Sequence, residues 1–212
     1  MEFFATLLRF FQAGGAFMYP IALVAVCAVA IAIERWLFLR RVQNENGALW
    51  AQVAPLIAQG DLEGASRVTE GSETAIARII SNGIAQARVE VKRSEIEVAT
   101  EEGLMEVLPA IEKRTHYLGT FSNMSTLLGL LGTVIGLIGS FAALGSADPA
   151  EKADLLSKGI SEAMNCTAFG LMVAIPSLLL HSYLQSRTTE LIDGLEAVAG
   201  KFVNTLSARG RR

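Results

Sequence analysis

Charge is scarce in this chain. Asp, Glu, Lys and Arg make up 18% of its 212 residues, against about 25% in soluble domains. Hydrophobic residues reach 51%. That balance argues against an ordinary soluble domain and predicts a membrane composition with a polar remainder. A net charge of -3 offers nothing to a phosphate backbone. The basic residues are scattered without interleaved aromatics, so no nucleic-acid partner is expected. Cysteine is nearly missing too. Cys27 and Cys166 both lie in apolar stretches and read as small core residues rather than a disulfide or metal pair. There is no CxxC or HExxH, and the Gly-rich run lacks the GK[ST] of a phosphate loop, so no metal or cofactor is expected. His116 and His181 are the only histidines, and no nucleophile–base pair stands at a workable spacing. An enzyme is the least expected class. A cleavable signal is not expected either: the first apolar stretch is too long, and Glu34-Arg35 follows it without an A-x-A site.

What is present is long uncharged runs. Phe10 to Ile33 gives 24 residues without charge, enough for a helix across about 30 Å of hydrocarbon. Arg35, Arg40 and Arg41 end it, with Trp36 and Phe38 as interface anchors. Tyr117 to Ala147 gives 31 more, longer than a span needs, so this helix should tilt or project. The third run, Ala163 to Ser186, is interrupted only by His181 and closed by Arg187. The fold expected is an all-α membrane protein with three transmembrane helices at 10–34, 117–145 and 161–186. Helices two and three should continue into a cytoplasmic helical bundle. Only Arg9, Lys152 and Lys158 of the 18 basic residues lie before span one or between spans two and three. The positive-inside rule therefore puts 1–9 and the 146–160 loop outside, and 35–116 and 187–212 in the cytoplasm.

The 35–116 segment reads as helical. Gly60-Asp61 is a turn signal, and Asp61 can cap a short helix to about Glu70. Ile76, Ile79, Ile80, Ile84 and Ala87 share one face at helical spacing, and Leu104, Val107, Leu108 and Ile111 make a second stripe. Pro109 is a bend site. Glu101, Glu102 and Glu106 read as a solvated face, since no His or Cys joins them.

Small residues organise span two. Ser122, Ser125, Gly129, Gly132, Gly136, Gly139 and Ala143 recur every three or four positions, which makes one narrow seam on a helix. Gly is a poor helix former in water, but in a bilayer the backbone stays helical and small residues let helices approach closely. This seam is expected to pack helix against helix. Off it, Thr126, Thr133 and Ser140 stand seven apart on another face. In span three, Ala163, Thr167, Gly170, Ala174, Ser177 and His181 form a second small or polar stripe. A transmembrane Thr usually spends its hydroxyl on its own i−4 carbonyl; the shared place of these residues on small-residue stripes favours a pathway role. Glu162 is either a pathway residue or an ordinary interfacial acid at a helix N-terminus; His181 reads as a snorkelling interface residue. No Asp, Glu, Lys or Arg lies centrally in any span. If the chain forms an ion pathway, the central carboxylate belongs to another chain.

Two of these stretches together, LLGLLGTVIG at Leu127–Gly136 and GISEAMNCTAFGLMVAIP at Gly159–Pro176, resemble the signature helices of the MotA/TolQ/ExbB proton-channel family. Three spans, an outer N-terminus and a large first cytoplasmic segment look like its ExbB and TolQ branches. The resemblance implies a bacterial inner-membrane protein in a homopentameric ring. The ring would enclose a dimer of a single-span ExbD- or TolR-like partner whose Asp carries the proton. Thr133 would match the family's Thr of the GT pair, Thr167 that of the TA pair, and Glu162 the Glu of the same stretch, all along the ion pathway. Rotation of partner against ring would pass work to a TonB- or TolA-like protein. The chain departs from the family at Ser125-Thr126, where Ala-Pro is frequent, and around His181, where an aromatic is frequent. An ExbB-like role in TonB-dependent transport leads. A TolQ-like role, or another motor of the family, is the near alternative. A non-conducting scaffold is the alternative of another class.

Overall fold

The computed structural model describes residues 10–11, 13–89, 92–145 and 147–209. The expected outer segment 1–9 and the last three tail residues lie outside them. Every regular element among the described residues is a helix: α1 (Met18–Gln59), α2 (Leu62–Glu70), α3 (Ala75–Val89), α4 (Arg93–Glu112), α5 (Thr115–Leu144) and α6 (Lys152–Arg209). Three are long and apolar enough to cross a membrane: α1, α5 and α6. The all-α, three-span class expected from sequence is what the fold has.

Two details differ from the sequence reading. The helix that holds span one does not stop at Arg35; α1 is one helix of 42 residues, and Pro55 sits inside it without breaking it. Between α4 and α5 the chain turns at Lys113 and Arg114, and Arg114 takes φ 68°. Among the described residues no other non-glycine has positive φ. The continuous extensions past a span are therefore those of α1 and α6, the latter 58 residues long. An uninterrupted helix needs no signal beyond the absence of a stop, and hydropathy alone does not register that absence.

The chain forms two compact units, one from 10–33 with Arg114–Tyr183, the other from Glu34–Lys113 with 184–209. In the second unit α1 ends in a Schellman turn: Gly60 adopts φ +84°, its N–H reaches Ile57 O at 3.0 Å, and Asp61 N–H reaches Leu56 O at 2.9 Å. Asp61 then caps α2, its carboxylate accepting from Gly64 N–H at 2.8 Å. Ile76, Ile79, Ile80 and Ile84 of α3 are all buried. They pack against α4, where a Cβ on Gly103 would stand 3.0 Å from the Ile79 Cα. Fully buried Phe202 of α6 lies against Gly83. Buried Asn46 ties α1 to α3, accepting from Ile76 N–H at 2.7 Å while donating to Val42 O at 2.7 Å. Glu101, Glu102 and Glu106 are exposed, and Glu106 pairs with Arg78 at 3.6 Å.

Arg35 is the largest fully buried side chain. It donates to the carbonyl of Ile111 in the last turn of α4, and its guanidinium sits 4.6 Å from the Phe38 ring centroid. A cation at a helix C-terminus meets the negative end of the dipole and the unpaired carbonyls there. The aromatic face adds a further attraction.

Candidate functional site: the α5–α6 helix pair

Small side chains let α5 and α6 approach within backbone contact. A Cβ on Gly170 would stand 2.6 Å from Ser125 O and 3.1 Å from the Gly129 Cα. One on Gly129 would stand 3.3 Å from the Gly170 and Thr167 Cα atoms. Gly132 leaves room for the Cys166 thiol, where a Cβ would overlap Sγ, and Gly136 faces Ala163 at 3.4 Å. Gly139 meets nothing within 4 Å among the described residues. Ser125 is completely buried, and its hydroxyl has no hydrogen-bond partner among the described residues.

Hydroxyls stitch the same seam. Ser122 Oγ donates to Ala174 O at 2.8 Å, and Thr167 Oγ1 donates to Gly129 O at 3.0 Å. At the end of α5 that adjoins α4, His181 Nδ1 lies 3.0 Å from Thr115 O. A carbonyl only accepts, so Nδ1 carries the proton there. The imidazole rests against Gly119, whose missing Cβ would stand 3.3 Å from the ring. Sequence alone suggested a snorkelling His181; the structure shows a lock between two helices.

Thr133 stands outside this seam. It is half-exposed, and Oγ1 donates to Leu130 O at 2.6 Å within its own helix. Thr126 and Ser140 do likewise, to Ser122 O at 3.1 Å and Gly136 O at 2.7 Å. Each keeps oxygen lone pairs for an outside donor. Thr133 and Thr167 thus occupy different faces, yet they meet at one atom. The Gly129 carbonyl that accepts from Thr167 is also, by helix geometry, the acceptor for the Thr133 N–H. Around Thr133 the exposed side chains of α5 are apolar: Leu127, Leu130, Leu131, Val134, Ile138 and Phe141.

Glu162 lies at the other end of the pair, half-buried, with its carboxylate against Gly15. The segment ahead of α1 is held there by rings, Phe11 packing edge-on against Tyr19 at 5.2 Å and Phe169 at 5.8 Å. Both cysteines are free thiols. No group of three or more His, Cys, Asp or Glu among the described residues is placed to hold a metal.

Comparison with known proteins places the chain in a family. Residues 71–197 match the model of the MotA/TolQ/ExbB proton channel family. A biopolymer transport protein ExbB homolog of Methanothermobacter thermautotrophicus is 31% identical over 201 residues, 93% of this chain and 70% of that protein. A biopolymer transport protein ExbB-like 3 of Synechocystis sp. is 30% identical over 176 residues, 82% of this chain and 83% of its own. The Tol-Pal system protein TolQ of Haemophilus influenzae is 33% identical over 97 residues, 46% of this chain and 40% of its own. The matched region runs from α3 through the closely packed α5–α6 pair and well into the far half of α6, and with three helices fit to span a bilayer the chain is a membrane protein belonging to the MotA/TolQ/ExbB proton channel family.

Proposed function

We propose that this chain is the ring-forming subunit of an inner-membrane, proton-driven motor of the ExbB kind. The observation that carries the reading is a division of labour on α5. One face is spent on α6, while Thr133 and its neighbours are left to meet something outside the chain. No central Asp, Glu, Lys or Arg exists in any span, so the group that takes and releases the proton comes from a partner. That partner is an ExbD-like single-span protein, two copies of which fill the centre of a pentamer. Thr133, Thr167 and Glu162 border the path. The N-terminus and the 146–160 loop face the periplasm; the 35–116 segment and the C-terminus face the cytoplasm. Work done by the ring reaches a TonB-like protein and through it the outer membrane.

The relatives named for biopolymer transport support the ExbB assignment, since they align over most of the chain. The TolQ of Haemophilus influenzae aligns over under half of it. A TolQ-like role with a TolA-like partner is the second reading, since identity within that shorter stretch is no lower.

The test is proton flux into vesicles holding the complex co-purified with its partner. Thr133→Val keeps the volume and removes the hydroxyl. Flux should fall while the assembly stays intact by native mass spectrometry. An intact complex with unchanged flux would remove Thr133 from the pathway.

A further inference from the structure

Glu162 does not point into open space; it is seated. A Cβ built on Gly15 would overlap Glu162 Oε1 and stand 2.9 Å from Cδ and 3.2 Å from Cγ. The carboxylate itself, rather than the stem of the side chain, fills the room that glycine leaves. Gly15 also has φ +74°, a conformation L side chains rarely adopt, so two independent features call for glycine there. Its carbonyl accepts from Met18 N–H at 3.2 Å, which places the seat at the first turn of α1, where the helix dipole favours negative charge. Among the described residues, the packed stretches 10–33 and 117–147 carry no charge. On α6 itself the nearest titratable groups are Lys158, one turn before, and Cys166, one turn after.

We propose that Gly15 is a positioning residue for Glu162: the turn ahead of α1 provides a Cβ-free seat that fixes where this carboxylate presents its oxygens. The inference rests on the reading that Glu162 borders the ion path. Because the atoms in conflict belong to the end of a flexible side chain, adding a methyl group at position 15 displaces the carboxylate rather than the helices.

The experiment is a size swap measured as proton flux in vesicles containing the full complex, across a pH series. Gly15→Ala should lower flux by roughly tenfold or more, the scale for a reactive group displaced by about an ångström. It should also shift the pH of half-maximal flux. Glu162→Asp retracts the carboxylate by one methylene, so combined with Gly15→Ala it should restore at least half the lost flux. Backbone strain at position 15 would not be rescued that way. If Gly15→Ala does not assemble, Gly15→Asn supplies a Cβ on a residue that tolerates left-handed φ, and the same rescue is required of it. Wild-type flux and pH profile in the position-15 variants, or a loss that Glu162→Asp leaves unchanged, overturns the proposal. Glu162→Gln separates the two levels. If it conducts like wild type, Glu162 is off the path and the inference falls with that reading. If it loses flux while the swap fails to rescue, the seat alone is wrong.

Discussion

The hydroxyl of Thr167 donates to the carbonyl of Gly129 at 3.0 Å, across a helix pair so close that neither Gly129 nor Gly170 has room for an unstrained methyl group. This bond couples α6 to the backbone turn that carries Thr133. The same carbonyl is, by helix geometry, the acceptor for the Thr133 N–H.

The two threonines should separate in a stability measurement. Thr167→Val removes an interhelical bond and should cost about 0.6–1.7 kcal/mol, the range for such bonds in membrane helices. Thr133→Val removes only a bond to Leu130 O in its own helix and should leave stability within about 0.5 kcal/mol. Denaturant unfolding of the detergent-solubilised protein reads both. Equal losses would mean that the Thr167 bond adds nothing between helices.

Glycines of one motif should not be equivalent. Gly170→Ala puts a methyl group 2.6 Å from the Ser125 carbonyl, a backbone atom that cannot swing aside, and overpacking of this kind costs about 1–3 kcal/mol. Gly139→Ala meets open space among the described residues and should be tolerated by the single chain. Thermal unfolding of the two variants side by side checks the contrast. If Gly139→Ala instead weakens the assembly without weakening the chain, that glycine faces a neighbouring subunit.

Phe202 anchors the second unit. It is fully buried against Gly83, and Phe202→Ala should cost roughly 3–5 kcal/mol. Limited proteolysis should then cut within α3 and α4 before the spans are affected. A protease pattern like wild type would show that the unit does not depend on this contact.

Arg35 offers a test of buried charge. Arg35→Ala loses the bond to Ile111 O and the packing on Phe38, and should destabilise by about 1.5–3 kcal/mol, the range for a hydrogen bond from a charged group. Arg35→Lys should not restore it, because an ammonium lacks the planar fork that both stacks and bonds. A lysine variant as stable as wild type would mean that charge alone suffices.

Much of this could be read in the chain itself. Three uncharged runs bounded by ionisable residues specify three spans, because each ionised side chain is expensive in hydrocarbon. The spacing of Ser122, Ser125, Gly129, Gly132 and Gly136 marks one face of α5 through helical period alone. Asp61 capping α2, and the isoleucine face of α3, follow from equally local rules. Other features had no local signal. The continuity of α1 through Arg35 to Gln59 reads as a break in hydropathy, since composition changes while the backbone does not. The burial of Arg35, the lock of His181 on Thr115 and the seat of Glu162 at Gly15 join residues 66 to 147 positions apart. Local periodicity places each side chain on a face of its own helix. Which atom of another helix it meets depends on how closely the backbones approach, and only the packed structure decides that distance.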